Sequence, residues 1–150
     1  MKTITVTLLI FVTACSAHAR FITVWSYQKL YNQADLVIIA KPISTQDTAE
    51  KTTLPNIVPA THVVGLSTVV EISLVMKGDK SLKKVTLHHC RLTEEEPNGG
   101  LHLVSFDLDP RQRAQFLMFL RLEKDGRYAP VAGQTDSALF SILKLDGLAD

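Results

Sequence analysis

His88-His89-Cys90 is the densest run of metal-ligating side chains in the chain, with His62 upstream and His102 about a dozen residues downstream. Imidazole nitrogen and thiolate sulfur are the common protein ligands for zinc and copper, so His88, Cys90 and His102 form the candidate metal set. Strand geometry restricts that set. Adjacent strand residues point to opposite faces, so His88 and His89 cannot both reach one ion without a bulge, whereas His88 and Cys90 share a face. The plainer alternative is a partly buried histidine pair at a strand end. Glu94-Glu95-Glu96, just before Pro97, suits a solvated loop better than a cation cluster. Ser26, Ser67 and Ser105 lack the Gly-x-Ser-x-Gly context of an activated nucleophile, and Asp107 and Asp109 lack a companion acid or base. No cofactor motif is present, so the residue pattern favours a non-enzymatic protein that takes no cofactor.

The amino terminus carries the strongest targeting signal. Lys2, an apolar run over 4–12 and the small-residue triplet Ala17-His18-Ala19 have the three parts of a secretory signal peptide. The run is about half the roughly 20 apolar residues that a membrane-spanning helix needs, so no transmembrane segment is expected. Cleavage after Ala19 gives a soluble, secreted or periplasmic chain beginning at Arg20. The alternative is Val12-Thr13-Ala14-Cys15, which has the form of a bacterial lipoprotein signal and would anchor the chain through an acylated Cys15. Residues 20–150 then make one domain, about 130 residues around a single core.

Composition narrows the partners. Sixteen Lys and Arg balance fifteen Asp and Glu. Such near-neutrality argues against nucleic acid or an acidic membrane held by charge, since both require uncompensated basic side chains. The remaining partners are a protein or a small ligand, and the sequence sets no oligomeric state. Of the two cysteines, Cys15 belongs to the leader, so Cys90 has no disulfide partner in a chain cleaved after Ala19. The fold must then rest on its apolar core, which 46% hydrophobic content can supply.

The elements that would position these side chains are mostly strands. One short helix is expected from Ser26, as its cap, through Ala34, with Tyr27, Leu30, Tyr31 and Ala34 at i, i+3, i+4 and i+7. Leu36-Val37-Ile38-Ile39-Ala40 is apolar on both faces, as in a strand buried on both sides, and Pro42 weakens its far end or puts it on an edge. Residues 46–60, with Pro55 and Pro59, suggest a long exposed loop. Alternation over 62–76 puts Leu66, Thr68, Val70, Ile72, Leu74 and Met76 on one strand face, with a return strand over 84–89. A second long loop is expected over 91–113, with room for a short strand at 101–106. Residues 115–122 and 127–132 form a hairpin about Lys124-Asp125-Gly126. The state of 139–145 is open. Ile38, Val70, Ile72, Leu74, Leu87, Leu117 and Phe119 make the expected core, while Phe21 and Trp25 should pin the terminus to the domain. Five main strands with scarcely any helix suggest a small closed or half-closed β-barrel.

Asn32-Gln33-Ala34-Asp35-Leu36-Val37-Ile38-Ile39-Ala40-Lys41 resembles the opening segment of the tissue inhibitors of metalloproteinases and the related netrin-like domains. Residues 70–75 followed by Met76-Lys77-Gly78 are similar to the family's long second strand and its Lys-Gly turn. Phe116-Leu117-Met118-Phe119-Leu120, with Tyr128 in the strand after the turn, is similar to its later hairpin. The resemblance spans residues 26–132. It implies a mainly β, five-stranded OB-like Greek-key barrel with one short N-terminal helix, whose strand 2 and 3 face and adjoining loops bind partners. The family's inhibitory chemistry requires an N-terminal Cys-x-Cys that chelates the protease's zinc. Neither Arg20-Phe21-Ile22 nor Cys15-Ser16-Ala17 supplies it, which leaves metalloproteinase inhibition as a minor alternative resting on fold analogy. The main expectation is an exported binding or interaction module, and the second is a metal-binding protein centred on His88, Cys90 and His102.

Overall fold

The computed structural model describes residues 24–54, 61–93, 103–134 and 141–145. Ser26 begins α1 (Tyr27–Gln33): its Oγ accepts the Lys29 amide, satisfying one of the orphan donors of the first turn. The six strands that follow are β1 (Leu36–Thr53), β2 (His62–Lys77), β3 (Lys84–Leu92), β4 (Gln115–Leu122), β5 (Tyr128–Pro130) and β6 (Ile142–Leu145). A 3-10 turn at Pro110–Gln112, capped by Asp109, precedes β4.

The strands make one mainly antiparallel sheet in the order β1-β2-β3-β5-β4-β6, and β1 also pairs with β4. That second pairing bends the sheet into a partly closed ring. Val37 stands opposite Lys77 on β2 and Phe119 on β4, so the two-sided apolar run has a neighbour on each edge. β3 and β5 meet through a single parallel bridge, Leu87 with Tyr128, which makes theirs the thinnest seam. Inside the ring, Leu36, Ile38, Ala40, Val70, Leu87, Phe116, Met118 and Leu120 form the main core. Outside it, Leu30 and Ala34 of α1 cover Val37, Phe119 and Val131. The Leu36 to Ala40 part of β1 is therefore covered on both faces, as its unbroken apolar run predicts.

Four expectations need correction. The strand count is six, because Ile142–Leu145, in the segment left open by the sequence, pairs with β4 along its length. The supposed loop from residue 46 continues as β1 to Thr53, because β2 is long enough to pair with it to the end, Thr53 against His62. Pro42 marks the change of role: pairing with β4 ends at Ala40, and beyond it β1 pairs with β2 alone. No strand forms over 103–106, and the strand after the Gly126 turn is the short Tyr128–Pro130.

The fourth correction concerns a face. Leu74 is 53% exposed, not core, and Met76 is exposed beside it. The register explains why. One step on β1, from Val37 to Ile38, corresponds to two on β2, from Lys77 to Val75; the same slip recurs between Ile39 and Ala40, opposite Leu74 and Ile72. Each bulge inserts one residue and inverts the alternation, turning Val75 inward and Leu74 outward. Ile38, Val70, Leu87 and Phe119 are buried, and Ile72 and Leu117 are partly buried against the cores. The β2–β3 turn places Gly78 at φ +102, where a Cβ would stand 2.9 Å from Leu36 Cδ1 and 3.0 Å from the Asp35 carbonyl. Only glycine fits there without a shift.

Candidate functional site

β3 carries His88 and His89 on opposite faces, as strand alternation requires, and the two rings enter different environments. His88 lies on the outer face between two carboxylates. Its Nδ1 is 2.7 Å from Glu123 Oε2 and its Nε2 is 3.0 Å from Glu50 Oε2. Both contacts are hydrogen bonds only when both ring nitrogens carry protons. Arg127 completes the group, donating from Nη2 to Glu50 Oε1 at 2.7 Å and from Nε to Asp125 Oδ2 at 2.7 Å. The Arg127 guanidinium holds the Glu50 carboxyl below the usual glutamate range, with the His88 charge adding to the effect. Glu50, and after it Asp125, raise the Arg127 guanidinium in turn.

The local backbone accounts for this convergence. Asp47 pairs with Leu66 and Lys51 with Val64, so β1 advances four residues while β2 advances two. The surplus at 48–50 bulges out, and Glu50 folds across β2 at Gly65 to reach β3. Gly65 is paired with Cys90 on the far side.

His89 points inward. Its Nε2 is 2.8 Å from Thr68 Oγ1, which is 2.8 Å from Thr45 Oγ1, and its ring lies 6.2 Å from that of Phe106. Nδ1 is buried with no hydrogen-bond partner among the described residues. Burial lowers the His89 pKa to about 4, with the neighbouring His88 charge adding to the fall. This ring is neutral at physiological pH.

Cys90 is half-buried and forms no disulfide among the described residues. Burial pushes its thiol pKa up, with Glu50 and Glu123 adding to the rise, so the thiolate that ligates metals or attacks electrophiles is disfavoured. Gln134 grips its backbone: the carboxamide accepts from Cys90 N–H at 2.6 Å and donates to Cys90 C=O at 2.9 Å and Val104 C=O at 2.8 Å. The side chain thus completes an edge of β3 as a neighbouring strand would.

Of the candidate metal set, His88 and Cys90 are two apart on β3 and His102 lies outside the described residues, as do Cys15, Phe21, Pro55, Pro59 and 94–101. Among the described residues, no group of three or more His, Cys, Asp or Glu is placed to hold a metal ion. An ion at His88 would have to displace one of its two carboxylates. Sequence reasoning missed Glu50 and Glu123 as partners of His88, and Arg127 and Asp125 as the pair that extends the cluster from Glu50. The local signals for that cluster were Gly65 within β2 and the Asp-Gly turn that presents Arg127.

The described surface also contains a groove of ≈530 Å³ across the far ends of β1, β2 and β3. Asp47, Thr48, Lys51, Thr52 and Thr53 form one wall, and His62, Arg91 and Thr93 stand opposite. Thr53 Oγ1 lies 3.1 Å from His62 Nδ1, and Arg91 Nε donates to Asp47 Oδ1 at 3.1 Å. The Arg91 guanidinium holds the Asp47 carboxyl below its ordinary range. The groove therefore offers hydroxyls, one tied ion pair and the exposed Lys51 over a floor of Val63 and Val64. No helix among the described residues is long and apolar enough to cross a membrane. Compared with known proteins, the chain matches no family model, and no curated protein matches it significantly.

Proposed function

We propose that this chain is an exported, non-enzymatic binding module built on a barrel like that of the tissue inhibitors of metalloproteinases, and that it takes a polar ligand in the groove formed by β1, β2 and β3. The groove carries the proposal: four threonine hydroxyls and Lys51 line a concave surface at strand ends, where convergent polar groups can orient a ligand that the walls shield from water. Barrels of the implied class bind extended ligands on the corresponding face. Nearby, Glu50 lies between the Arg127 guanidinium and the His88 ring, and Glu123 meets the other nitrogen of that ring.

Amide chemical-shift mapping of the exported protein, titrated with neutral oligosaccharides, acidic oligosaccharides and polar peptides, tests the proposal. The expected result is saturable shifts confined to 47–53, 62–64 and 91–93, weakened when Lys51→Ala and Thr52→Val are introduced together. Shifts centred elsewhere, or no response to any of these probes, would overturn it.

A further inference from the structure

The outer face of the sheet beside α1 is apolar across four strands. Ile39 of β1 stands opposite Leu74 of β2 and Leu117 of β4, and Leu117 stands opposite Leu143 of β6. Residues directly opposite in antiparallel strands project to the same side, so these four form a continuous row. α1 covers only its flank. Leu30 and Ala34 are buried, but Tyr27 is 57% exposed and Tyr31 is exposed beside it, although both lie on the helix's apolar stripe. Between helix and row lies a mainly apolar groove of ≈390 Å³ lined by Tyr27, Gln28, Tyr31, Met76, Leu117 and Phe119. Val24, two residues before the Ser26 cap of α1, is the most exposed large apolar residue described, at 63%.

We propose that this face docks the domain on a lipid bilayer surface. Three observations favour that occupant. The first is the rim: Lys29 Nζ lies 3.7 Å from the Trp25 ring centroid and Lys77 Nζ lies 5.2 Å from that of Tyr31. Aromatic rings with lysine heads lying over them suit the boundary between acyl chains and headgroups. The second is charge. α1 carries Lys29 and no acidic residue. A second copy seated on this face would bring like charges together, whereas phosphate headgroups complement them. The third is continuity, because in the alternative form anchored through Cys15 the tether would lead directly into Trp25 at this rim. Cys15 stands nine residues before Val24, so an acylated chain would be tethered within about 30 Å of the bilayer. The near-neutral chain as a whole gives no long-range attraction to an acidic surface. Binding here draws on apolar burial, with the two lysines adding a local contribution.

Sedimentation with vesicles of phosphatidylethanolamine and phosphatidylglycerol tests this on the mature chain beginning at Arg20, which carries neither the apolar leader nor Cys15, so that neither contributes to binding. The parent should partition onto vesicles, and Leu74→Asp with Met76→Asp should weaken partitioning about tenfold. Both positions are exposed, so circular dichroism should report an unchanged fold. Val24→Asp is the second variant should the double variant fail to fold, with weakened partitioning expected again. Failure of the parent to partition, equal partitioning by the folded variants, or vesicle-independent dimerisation lost in those variants would each overturn the proposal.

Discussion

The Glu50 carboxylate passes 2.7 Å from the point where a Cβ on Gly65 would stand, and Thr48 Oγ1 passes 2.5 Å from it. Glycine at this place in β2 lets a β1 side chain cross a whole strand to meet His88 and Arg127. Gly65→Ala should force Glu50 aside and destabilise the fold by about 1–3 kcal/mol, the usual cost of overpacking. Part of that loss should vanish when Glu50→Ala is already present. A double-mutant cycle by urea denaturation measures the coupling, and strictly additive losses would mean that the crossing is energetically silent.

His89 makes stability depend on pH. Its folded pKa, about 4, lies below the ordinary histidine value of 6.5, so between those values the unfolded chain binds more protons than the folded one. Stability from this group is therefore fully present above about pH 6.5 and is lost as pH falls toward 4, by on the order of 3 kcal/mol. His89→Leu should flatten the pH dependence over that window relative to the parent. Unfolding curves at pH 7 and pH 4 check it, and identical slopes for the two proteins would contradict it.

Gln134 is buried and supplies hydrogen bonds that β3 would otherwise take from a strand. Gln134→Ala leaves the Cys90 N–H and C=O without that partner, and the expected loss is about 1–3 kcal/mol. Amide hydrogen exchange should quicken at Cys90 before it does at Leu87, whose side chain lies in the core. Unchanged protection at Cys90 would show that water replaces the carboxamide without cost.

Leu87 and Leu74 test the bulged register of β2. Leu87→Ala should cost about 2–5 kcal/mol, as deletion from a packed core does. Leu74→Ala should change stability by less than about 0.5 kcal/mol, as is usual for exposed positions. Comparable losses at both sites would return Leu74 to the core and remove the two bulges from the account.

Local pattern was enough to determine the capped helix from Ser26, the two-sided burial of Leu36-Val37-Ile38-Ile39-Ala40 and the opposite facing of His88 and His89. Each follows from a backbone period or a single capping bond, which a few neighbouring residues specify. What sequence alone left undecided depends on chain segments far apart. Leu74 turned outward because β1 and β2 match only with bulges, and β1 ran on to Thr53 because β2 was there to receive it. Residues 142–145 became a strand because β4 offered a free edge. The environment of His88 was the least legible of all: His88 itself, Glu50 and the turn that carries Glu123 and Arg127 come from three separate parts of the chain. Which carboxylates meet an imidazole is set by the strand register and by the room left at Gly65, and both exist only once the sheet has closed.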